Sequence, residues 1–326
     1  MDPGKVCIEV ALNGPWTRRL QPAIPLTPDE IVSDAIECAK AGASIIHFHA
    51  YDASTGEQTT EFDLVARIIE QIRSKVDAVV YPAIRYMSNA ESIQDDAGCK
   101  RYAHLERMAA RGLAEWLIVD PGSTNLVSYH DIGAGKKALV DINTPSAIRF
   151  GLEVAAKHRL HPGFAIYEPG YLRLGAALAR AVEGTPMPMY RLMFSDDLTF
   201  GFRPREYALR SYLDLLAEEA PDAPWMVAGL GVDIWPLIPL AAQMGGHVRV
   251  GLEDARLGSK ASNPRLVEEA AKLIENAGAT VATPAQLRAE LFTPSRTASA
   301  QVADPSGSPS DSRAPASHPA INGKPK

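Results

Sequence analysis

Two histidines, His47 and His49, are the residues of this sequence best suited to chemistry. They lie in the short apolar run 43–50, which follows Gly42 and is typical of a buried strand. Alternate side chains of a strand point to the same face, so both imidazoles can reach a single cation. A Zn²⁺ ion held in this way needs a third protein ligand and an open position before it can do chemistry. The pair alone leaves open the alternative that both histidines are hydrogen-bonded core residues.

The histidine strand is one of a series in which strands and helices alternate. Two helix starts carry capping signals: Thr27 precedes Pro28 with Glu30 three residues after the cap, and Thr144 precedes Pro145. A long loop is predicted over residues 123–143, and long loops in compact domains are often functional. The apolar patterns predict eight strands, at residues 5–12, 43–50, 78–84, 116–119, 164–167, 190–194, 225–228 and 247–252, with a helix after each.

Eight strand–helix units in succession require parallel strands joined by right-handed crossovers, and they predict a (β/α)8 TIM barrel. The runner-up is an open doubly wound sheet, but its GxGxxG signature does not follow the first strand. We assign residues 1–292 to the barrel, including a short extra helix at 284–291. Residues 293–326 are rich in Ser, Pro and Ala and contain no aromatic residue, so they are predicted to form a disordered tail.

The predicted eighth strand supplies a third candidate ligand. On its alternating pattern Arg249 and Glu253 share the inward face. In a closed barrel this strand neighbours the first, which neighbours the second, so Glu253 is expected at the same rim as His47 and His49. Two histidines and a glutamate with an open position form a known catalytic zinc pattern. The plain alternatives are that the acidic pair after this strand caps a turn, and that Arg249 forms a buried ion pair with Glu9.

A metal-dependent hydrolase of the amidohydrolase type on the same barrel is a further candidate. Such enzymes carry their His-x-His pair on the first strand and more histidines at the ends of the fifth and sixth strands. Here the pair lies on the second strand, His161 precedes the predicted fifth strand at the opposite end, and the sixth strand ends in acids. The sequence therefore disfavours this class.

Composition and charge exclude several other classes of protein. The chain has 326 residues, of which 46% are hydrophobic, with a net charge of −6 and a pI near 5.8. These values argue against a nucleic-acid binder or a membrane-surface protein, and no apolar run reaches the ~20 residues that a spanning helix needs. The start of the chain lacks a signal-peptide pattern, and its three cysteines form no CxxC, so a cytoplasmic location is expected.

Eight segments together make the chain resemble one enzyme family. In chain order they are ALNG at 11–14, PLTPDEI at 25–31, AGASIIHFH at 41–49, DINTP at 141–145, YEPG at 167–170, WMVAGLG at 225–231, GGHVRVGLED at 245–254 and Ala-Thr-Pro at 282–284. With these segments in this order, the chain resembles the β-keto acid cleavage enzymes from residue 8 to about residue 291.

The resemblance implies a TIM barrel with one Zn²⁺ per subunit, usually in a homotetramer. It also implies a retro-Claisen-type reaction, in which a β-keto acid and acetyl-CoA give acetoacetate and a new CoA thioester. By position, His47, His49 and Glu253 correspond to the metal ligands. Arg249 and Asp254 correspond to the catalytic pair, with Asp254 as the general base.

Four residues are candidates for binding the substrate. The resemblance places Glu168 at the substrate pocket. Asn13 of the ALNG segment is also predicted to bind the substrate. Trp16 stands where the aminohexanoate-cleaving member has a glutamate that recognises an amine, so Trp16 is expected to line an apolar pocket or to stack on a quaternary ammonium. Arg85 belongs to a changed segment after the third strand and is expected to meet a second carboxylate. Loop packing is the alternative for both of these residues.

The sequence thus predicts a zinc-dependent β-keto acid cleavage enzyme with acetyl-CoA as co-substrate. Because Ile118 and residues 195–201 also differ from the family pattern, the aminohexanoate substrate is set aside and the chemistry is kept. One rival is a metal-dependent aldolase-type lyase that needs no CoA, and the other is a barrel that keeps its metal for structure only. The expected partners are these small molecules and other copies of the chain, not a nucleic acid or a membrane.

Overall fold

Eight buried strands lie in parallel and form a nearly closed barrel, which confirms the predicted (β/α)8 fold. The structure is a computed structural model that describes residues 4–136 and 139–291, so the predicted tail at 293–326 lies outside the described residues. The strands are β1 (Ile8–Ala11), β2 (Ile45–Phe48), β3 (Val79–Pro82), β4 (Trp116–Val119), β5 (His161–Ile166), β6 (Met189–Phe194), β7 (Trp225–Gly229) and β8 (His247–Val250). Hydrogen-bonded neighbours follow the order β3-β2-β1-β8-β7-β6-β5-β4.

A helix follows each strand and covers the outside of the barrel. The predicted capping box is present, because Thr27 Oγ1 accepts from Glu30 N at 3.3 Å and a carboxylate oxygen of Glu30 accepts from Thr27 N at 2.9 Å. The helices are α1 (Pro28–Lys40), α2 (Phe62–Arg73), α3 (Ala97–Ala110), α4 (Pro145–His158), α5 (Pro169–Ala181), α6 (Glu206–Glu219), α7 (Ile238–Gln243), α8 (Asn263–Asn276) and the extra helix α9 (Pro284–Leu291). Within the described residues, no helix is long and apolar enough to span a membrane.

Three small strand pairs lie outside the barrel. Lys5–Val6, predicted as the start of the first strand, pairs instead with Thr280–Val281, and Ala50–Tyr51 pairs with Gln58–Thr59. The connection over residues 123–143, predicted as a loop, contains an antiparallel hairpin and a short helix. The hairpin joins Thr124–Leu126 to Leu139–Asp141, and the helix is Tyr129–Gly133. Strands of three residues are too short to show an alternating pattern, so pairing rather than local sequence determines them.

The eighth strand ends two residues earlier than its apolar pattern predicts. Gly251 has a φ of 133°, and a Cβ at this position would lie 2.1 Å from the carbonyl oxygen of Ala11. Only glycine fits so close to the neighbouring strand, so the chain turns here. The turn brings Glu253 N to 3.2 Å from the same oxygen and carries Glu253 and Asp254 over the end of the barrel.

The strand register brings the predicted chemical residues to one region. Arg249 of β8 pairs with Glu9 of β1, and Ala11 of β1 pairs with His47 of β2. Below them, apolar side chains fill the barrel interior, among them Ile45, Trp116 and other residues of the same cluster. The charged side chains therefore lie above a closed apolar layer, at the carboxyl ends of the strands, where barrel enzymes carry their active sites.

Candidate active site

The structure brings the three predicted metal ligands together. His47 Nε2 lies 3.4 Å and His49 Nε2 lies 3.5 Å from the same oxygen of Glu253, Oε2. One donor atom from each residue lies within 4.8 Å of the other two. His47 is almost fully buried, and burial first of all lowers its pKa well below the usual value, so its imidazole is neutral and able to bind a metal.

The donor set fits a zinc ion. Glu253 Oε2 is buried and makes no hydrogen bond to the described part of the chain, which leaves a carboxylate oxygen available as a ligand. His49 Nδ1 lies 2.6 Å from Gln58 Oε1, a contact of the kind that orients a metal-binding imidazole with Nε2 free. Gly14 lies against the Glu253 side chain, and a Cβ there would be 2.5 Å from Glu253 Cγ, so glycine leaves the carboxylate its room.

Asn13 supports the site from behind. Its side chain is fully buried, donates to the carbonyl oxygens of Pro25 and His49 at 2.9 Å, and accepts from His49 N at 2.8 Å. These bonds engage both ends of the amide, and Asn13 does not belong to the cavity wall. The predicted substrate-binding residue thus lies where it fixes the backbone of His49.

Arg249 links the metal ligands to Asp254. Its Nε and Nη2 donate to the two carboxylate oxygens of Asp254 at 2.7 and 2.8 Å, while Nη2 also lies 2.8 Å from Glu253 Oε1. Nη1 donates to Glu9 at 3.1 Å, so the buried ion pair that the sequence left as an alternative is present alongside these contacts. The guanidinium is thereby held rigidly beside the site.

Burial and charge act in opposite directions on the two acids. Burial raises the pKa of Asp254 to about 6, although the Arg249 guanidinium opposes the shift. Burial would also raise the pKa of Glu253, but Arg249 and the two imidazoles outweigh it and hold that pKa well below its ordinary value. Glu253, the candidate ligand, is therefore ionised, and Asp254 is the acid whose pKa lies nearer to neutral pH.

A cavity of about 990 Å³ opens above these residues at the carboxyl ends of the strands. His47, His49, Glu253 and Arg249 line its floor, whereas Asp254 contacts the Nε–Nη2 edge of Arg249 and is not part of the wall. The hairpin over residues 124–141 supplies one wall, which the sequence did not predict. The volume is within the range typical of small-molecule sites.

Of the remaining predicted substrate-binding residues, Trp16 and Arg85 line the cavity and Glu168 does not. Trp16 Nε1 donates to the backbone oxygen of Glu253 at 2.7 Å, which fixes the indole beside the metal ligands. Arg85 Nη2 pairs with Glu91 at 3.0 Å, so its charge already has a partner. Glu168 precedes α5 and accepts from Thr124 at 3.4 Å, while its neighbour Tyr167 faces the cavity.

Two buried residues of the floor were missed in the sequence. Arg191 of β6 lies in the cavity wall with 1% of its surface exposed, and its Nη2 donates to Glu9 and to Tyr81 Oη. The Tyr81 ring stacks on His47 with centroids 4.6 Å apart. A charged residue inside an otherwise apolar strand was the available signal, since such a residue requires a partner when it is buried.

Comparison with known proteins identifies the family of this chain. Residues 5–292 match the sequence model of one family, described as beta-keto acid cleavage enzyme. The chain belongs to the β-keto acid cleavage enzyme family. It is therefore an enzyme, as the sequence predicted. The match covers every described element of the barrel.

Two curated relatives are each 29% identical to this family member. The 3-dehydrocarnitine:acetyl-CoA trimethylamine transferase of Rhizobium meliloti aligns over 82% of this chain and 89% of its own length. The 3-keto-5-aminohexanoate cleavage enzyme of Fusobacterium nucleatum aligns over 87% and 96%. A third relative, the 3-oxoadipate:acetyl-CoA acetyltransferase of Cupriavidus necator, is 27% identical over 88% of this chain and 95% of its own length.

Among solved structures, ObcA in its apo form resembles this β-keto acid cleavage enzyme in fold. The TM-score is 0.63 at 17% sequence identity, and the match covers 83% of this chain. The chain spans about two thirds (66%) of the length of ObcA. At this identity the likeness concerns the barrel alone.

Among the acids in the cavity wall of this family member are Asp120 after β4 and Asp141 from the hairpin. Burial, and then the charge of Asp141, raise the pKa of Asp120 to about 7. Burial raises the pKa of Asp141 too, while Arg101 opposes the shift at both acids. Two neighbouring, partly buried carboxyl groups favour a state in which one of them keeps its proton.

Replacing Asp120 by Asn is expected to stabilise the folded chain at pH 8 more than at pH 5. The folded pKa of about 7 lies above the unfolded value near ~3.9, so between these values the folded carboxyl keeps a proton that the unfolded chain has lost. The free energy of unfolding of the wild type therefore falls as the pH rises towards about 7, whereas asparagine does not titrate. The stabilisation by asparagine is expected to be larger at pH 8 than at pH 5 by roughly 1–3 kcal/mol. Denaturant unfolding at both pH values measures the difference, with Asp214→Asn as a surface control. Parallel pH profiles of wild type and variant would contradict the shifted pKa.

Proposed function

We propose that this enzyme exchanges acyl groups between a β-keto acid and acetyl-CoA, with one Zn²⁺ ion bound per subunit. The carbon between the ketone and the carboxylate loses its bond to the substrate acyl group and forms one to the acetyl group, which gives acetoacetate. The released acyl group forms a thioester with CoA, so atoms and charge balance. The observation that carries the proposal is the meeting of His47, His49 and Glu253 beside Arg249 on the cavity floor of a family member.

Each residue of the floor has a role in this proposal. A divalent ion held by the two histidines and Glu253 supplies a Lewis acid that polarises the ketone. Arg249, fixed by Asp254, stabilises the negative charge that develops on the carbonyl oxygen. Asp254 is the proposed general base, which accepts the proton from the carbon between the two carbonyl groups.

The substrate class is proposed from the relatives and the cavity together. The names of the three relatives refer to β-keto acids with different side chains. Two of these names, those of the trimethylamine transferase and the acetyltransferase, include acetyl-CoA. We propose acetyl-CoA as the co-substrate here as well. Trp16 is held against the Glu253 backbone and offers an aromatic face to the substrate side chain. Arg85 can bind a second carboxylate by exchanging it for Glu91.

Incubation of the purified zinc-loaded protein with a panel of β-keto acids, with and without acetyl-CoA, tests this function. We expect acetoacetate to form only when acetyl-CoA is present, together with an equal amount of a new CoA thioester. Cleavage without acetyl-CoA would favour the aldolase-type lyase. Bound zinc without turnover of any β-keto acid would favour a barrel that keeps the metal for structure.

We further propose that the chain forms a homo-oligomer, with the tetramer of the family as the expected size. The hairpin region exposes large apolar side chains, namely Tyr129 and Ile132 at 56% and Leu139 at 42%. Clustered exposed apolar groups are typical of contact surfaces. Light scattering of the purified chain measures the size, and a monomer at micromolar concentration would contradict this proposal.

A further inference from the structure

Six side chains form a closed ring, and four of them, His47, Glu253, Arg249 and Arg191, line the cavity floor. Starting from the metal ligands, Glu253 Oε1 lies 2.8 Å from Arg249 Nη2, and Arg249 Nη1 lies 3.1 Å from Glu9 Oε1. Glu9 Oε1 lies 3.0 Å from Arg191 Nη2. The hydroxyl of Tyr81 accepts from Arg191 at 2.8 Å, and its aromatic ring stacks on the imidazole of His47. His47 Nε2, 3.4 Å from Glu253 Oε2, closes the circle. We call Glu253, Arg249, Glu9, Arg191, Tyr81 and His47 the floor ring.

Within the floor ring, Arg191 has donors that no described residue accepts from. All of its bonds to the described residues are made through Nη2, to Glu9 and to Tyr81. Nε is buried without a hydrogen-bond partner in the part of the chain that the structure describes. Arg191 is 1% exposed, yet it belongs to the cavity wall. A buried guanidinium donor without an acceptor is costly, so a ligand in the cavity that supplies one is favoured.

The charges of the floor point to the kind of acceptor. Two guanidinium groups, those of Arg191 and Arg249, are balanced against three carboxylates, those of Glu9, Glu253 and Asp254. With a divalent ion at the histidine–glutamate site, these five side chains and the ion together carry one positive charge in excess. An uncompensated charge in a buried site is unfavourable, and a ligand with one negative charge removes it.

We propose that Arg191 binds the carboxylate of the β-keto acid. This inference rests on the proposed function and assigns a substrate contact within it. Arg249 cannot take this role as easily, because its Nε–Nη2 edge is filled by Asp254 and its Nη1 by Glu9. Arg191 contacts Tyr81, whose ring stacks on His47, so in this proposal one small molecule places its carboxylate at Arg191 and its ketone at the metal site.

Binding of two matched ligands to the zinc-loaded protein tests the proposal by calorimetry, without turnover. Acetoacetate carries the carboxylate, and methyl acetoacetate has the same ketone but no charge. The wild type is expected to prefer acetoacetate, and Arg191→Lys, which keeps a charge for Glu9, is expected to reduce that preference by roughly 10- to 100-fold. Arg210→Lys, on the exposed face of α6, is the control and is expected to keep the wild-type preference.

The outcomes separate this proposal from the proposed function. A wild-type preference that survives intact in a zinc-loaded, folded Arg191→Lys would overturn the role of Arg191 and leave the function standing. No binding or turnover of any β-keto acid by the wild type would instead overturn the function. If Arg191→Lys does not fold or hold zinc, a crystal structure of the wild type with acetoacetate decides: the carboxylate lies within hydrogen-bonding distance of Arg191, or the proposal is wrong.

Discussion

Replacing Glu253 by Gln is expected to remove most of the zinc from the purified protein and to abolish turnover. A neutral amide oxygen is a much weaker ligand than the carboxylate whose Oε2 faces both imidazoles at 3.4 and 3.5 Å. The variant also takes away one of the charges that hold Arg249. Loss of a partner outside the ligand set typically costs ~10–100-fold in metal affinity, so loss of a ligand is expected to exceed ~100-fold.

Metal analysis after dialysis measures this effect, with about one zinc per chain expected in the wild type. Glu268→Gln, on the exposed side of α8, changes the same chemical group away from the cavity and is expected to retain the metal. If Glu253→Gln kept a full complement of zinc, the carboxylate would not be a ligand. If the wild type bound no zinc, His47 and His49 would instead be core histidines without a metal.

The barrel and its strand order could be predicted because local signals agree with the fold. The capping residues Thr27 and Thr144 mark helix starts that the structure confirms. Several strand ends were placed wrongly, and two of them illustrate the cause. β8 stops at Val250 because the carbonyl of Ala11 lies too close to Gly251 for a straight strand. β5 begins at His161, three residues early, and a Cβ on Gly163 would lie 2.4 Å from Trp116 Nε1. Both contacts join residues far apart in the chain.

The candidate site was predictable where strand parity decides it. His47 and His49 share a face because they are two residues apart, and the order of strands brings β8 next to β1. Glu253 reaches them from a turn rather than from the strand face, so the expected meeting occurs by a different local geometry. Parity alone therefore predicted that these residues meet, but it gave an incomplete reason for the meeting.

Arg191 and Tyr81 could not be paired from the sequence. Their common partner Glu9 lies 182 residues from Arg191 in the chain, and only the closure of the barrel brings the three together. The cavity wall that the hairpin supplies also depends on contacts between residues far apart in the chain. Its position depends on contacts such as Thr199 N to Val127 O at 3.1 Å, which no local pattern encodes. Sequence patterns thus predicted which candidate ligands meet, while the residues that surround them could be identified only from the structure.

Replacing Asp254 by Asn is expected to spare the zinc and to lower turnover by ~10²–10⁴-fold. Asparagine cannot accept the substrate proton, and its amide nitrogen would face the donors of Arg249, which now hold both carboxylate oxygens at 2.7 and 2.8 Å. The metal is expected to stay, because Asp254 does not belong to the ligand set. Turnover and zinc content are measured on the same preparation, with Asp214→Asn as the surface control.

Exchange of the protons on the carbon between the two carbonyl groups separates two roles for Asp254. In deuterium oxide, without acetyl-CoA, a general base exchanges these protons of acetoacetate although no acyl transfer can occur. If Asp254 is the base, its Asn variant loses exchange and turnover together. If the variant still exchanges at the wild-type rate but does not turn over, Asp254 positions Arg249 and another group removes the proton. The second outcome is compatible with the structure, because Arg249 lines the cavity whereas Asp254 contacts Arg249 and does not line the cavity.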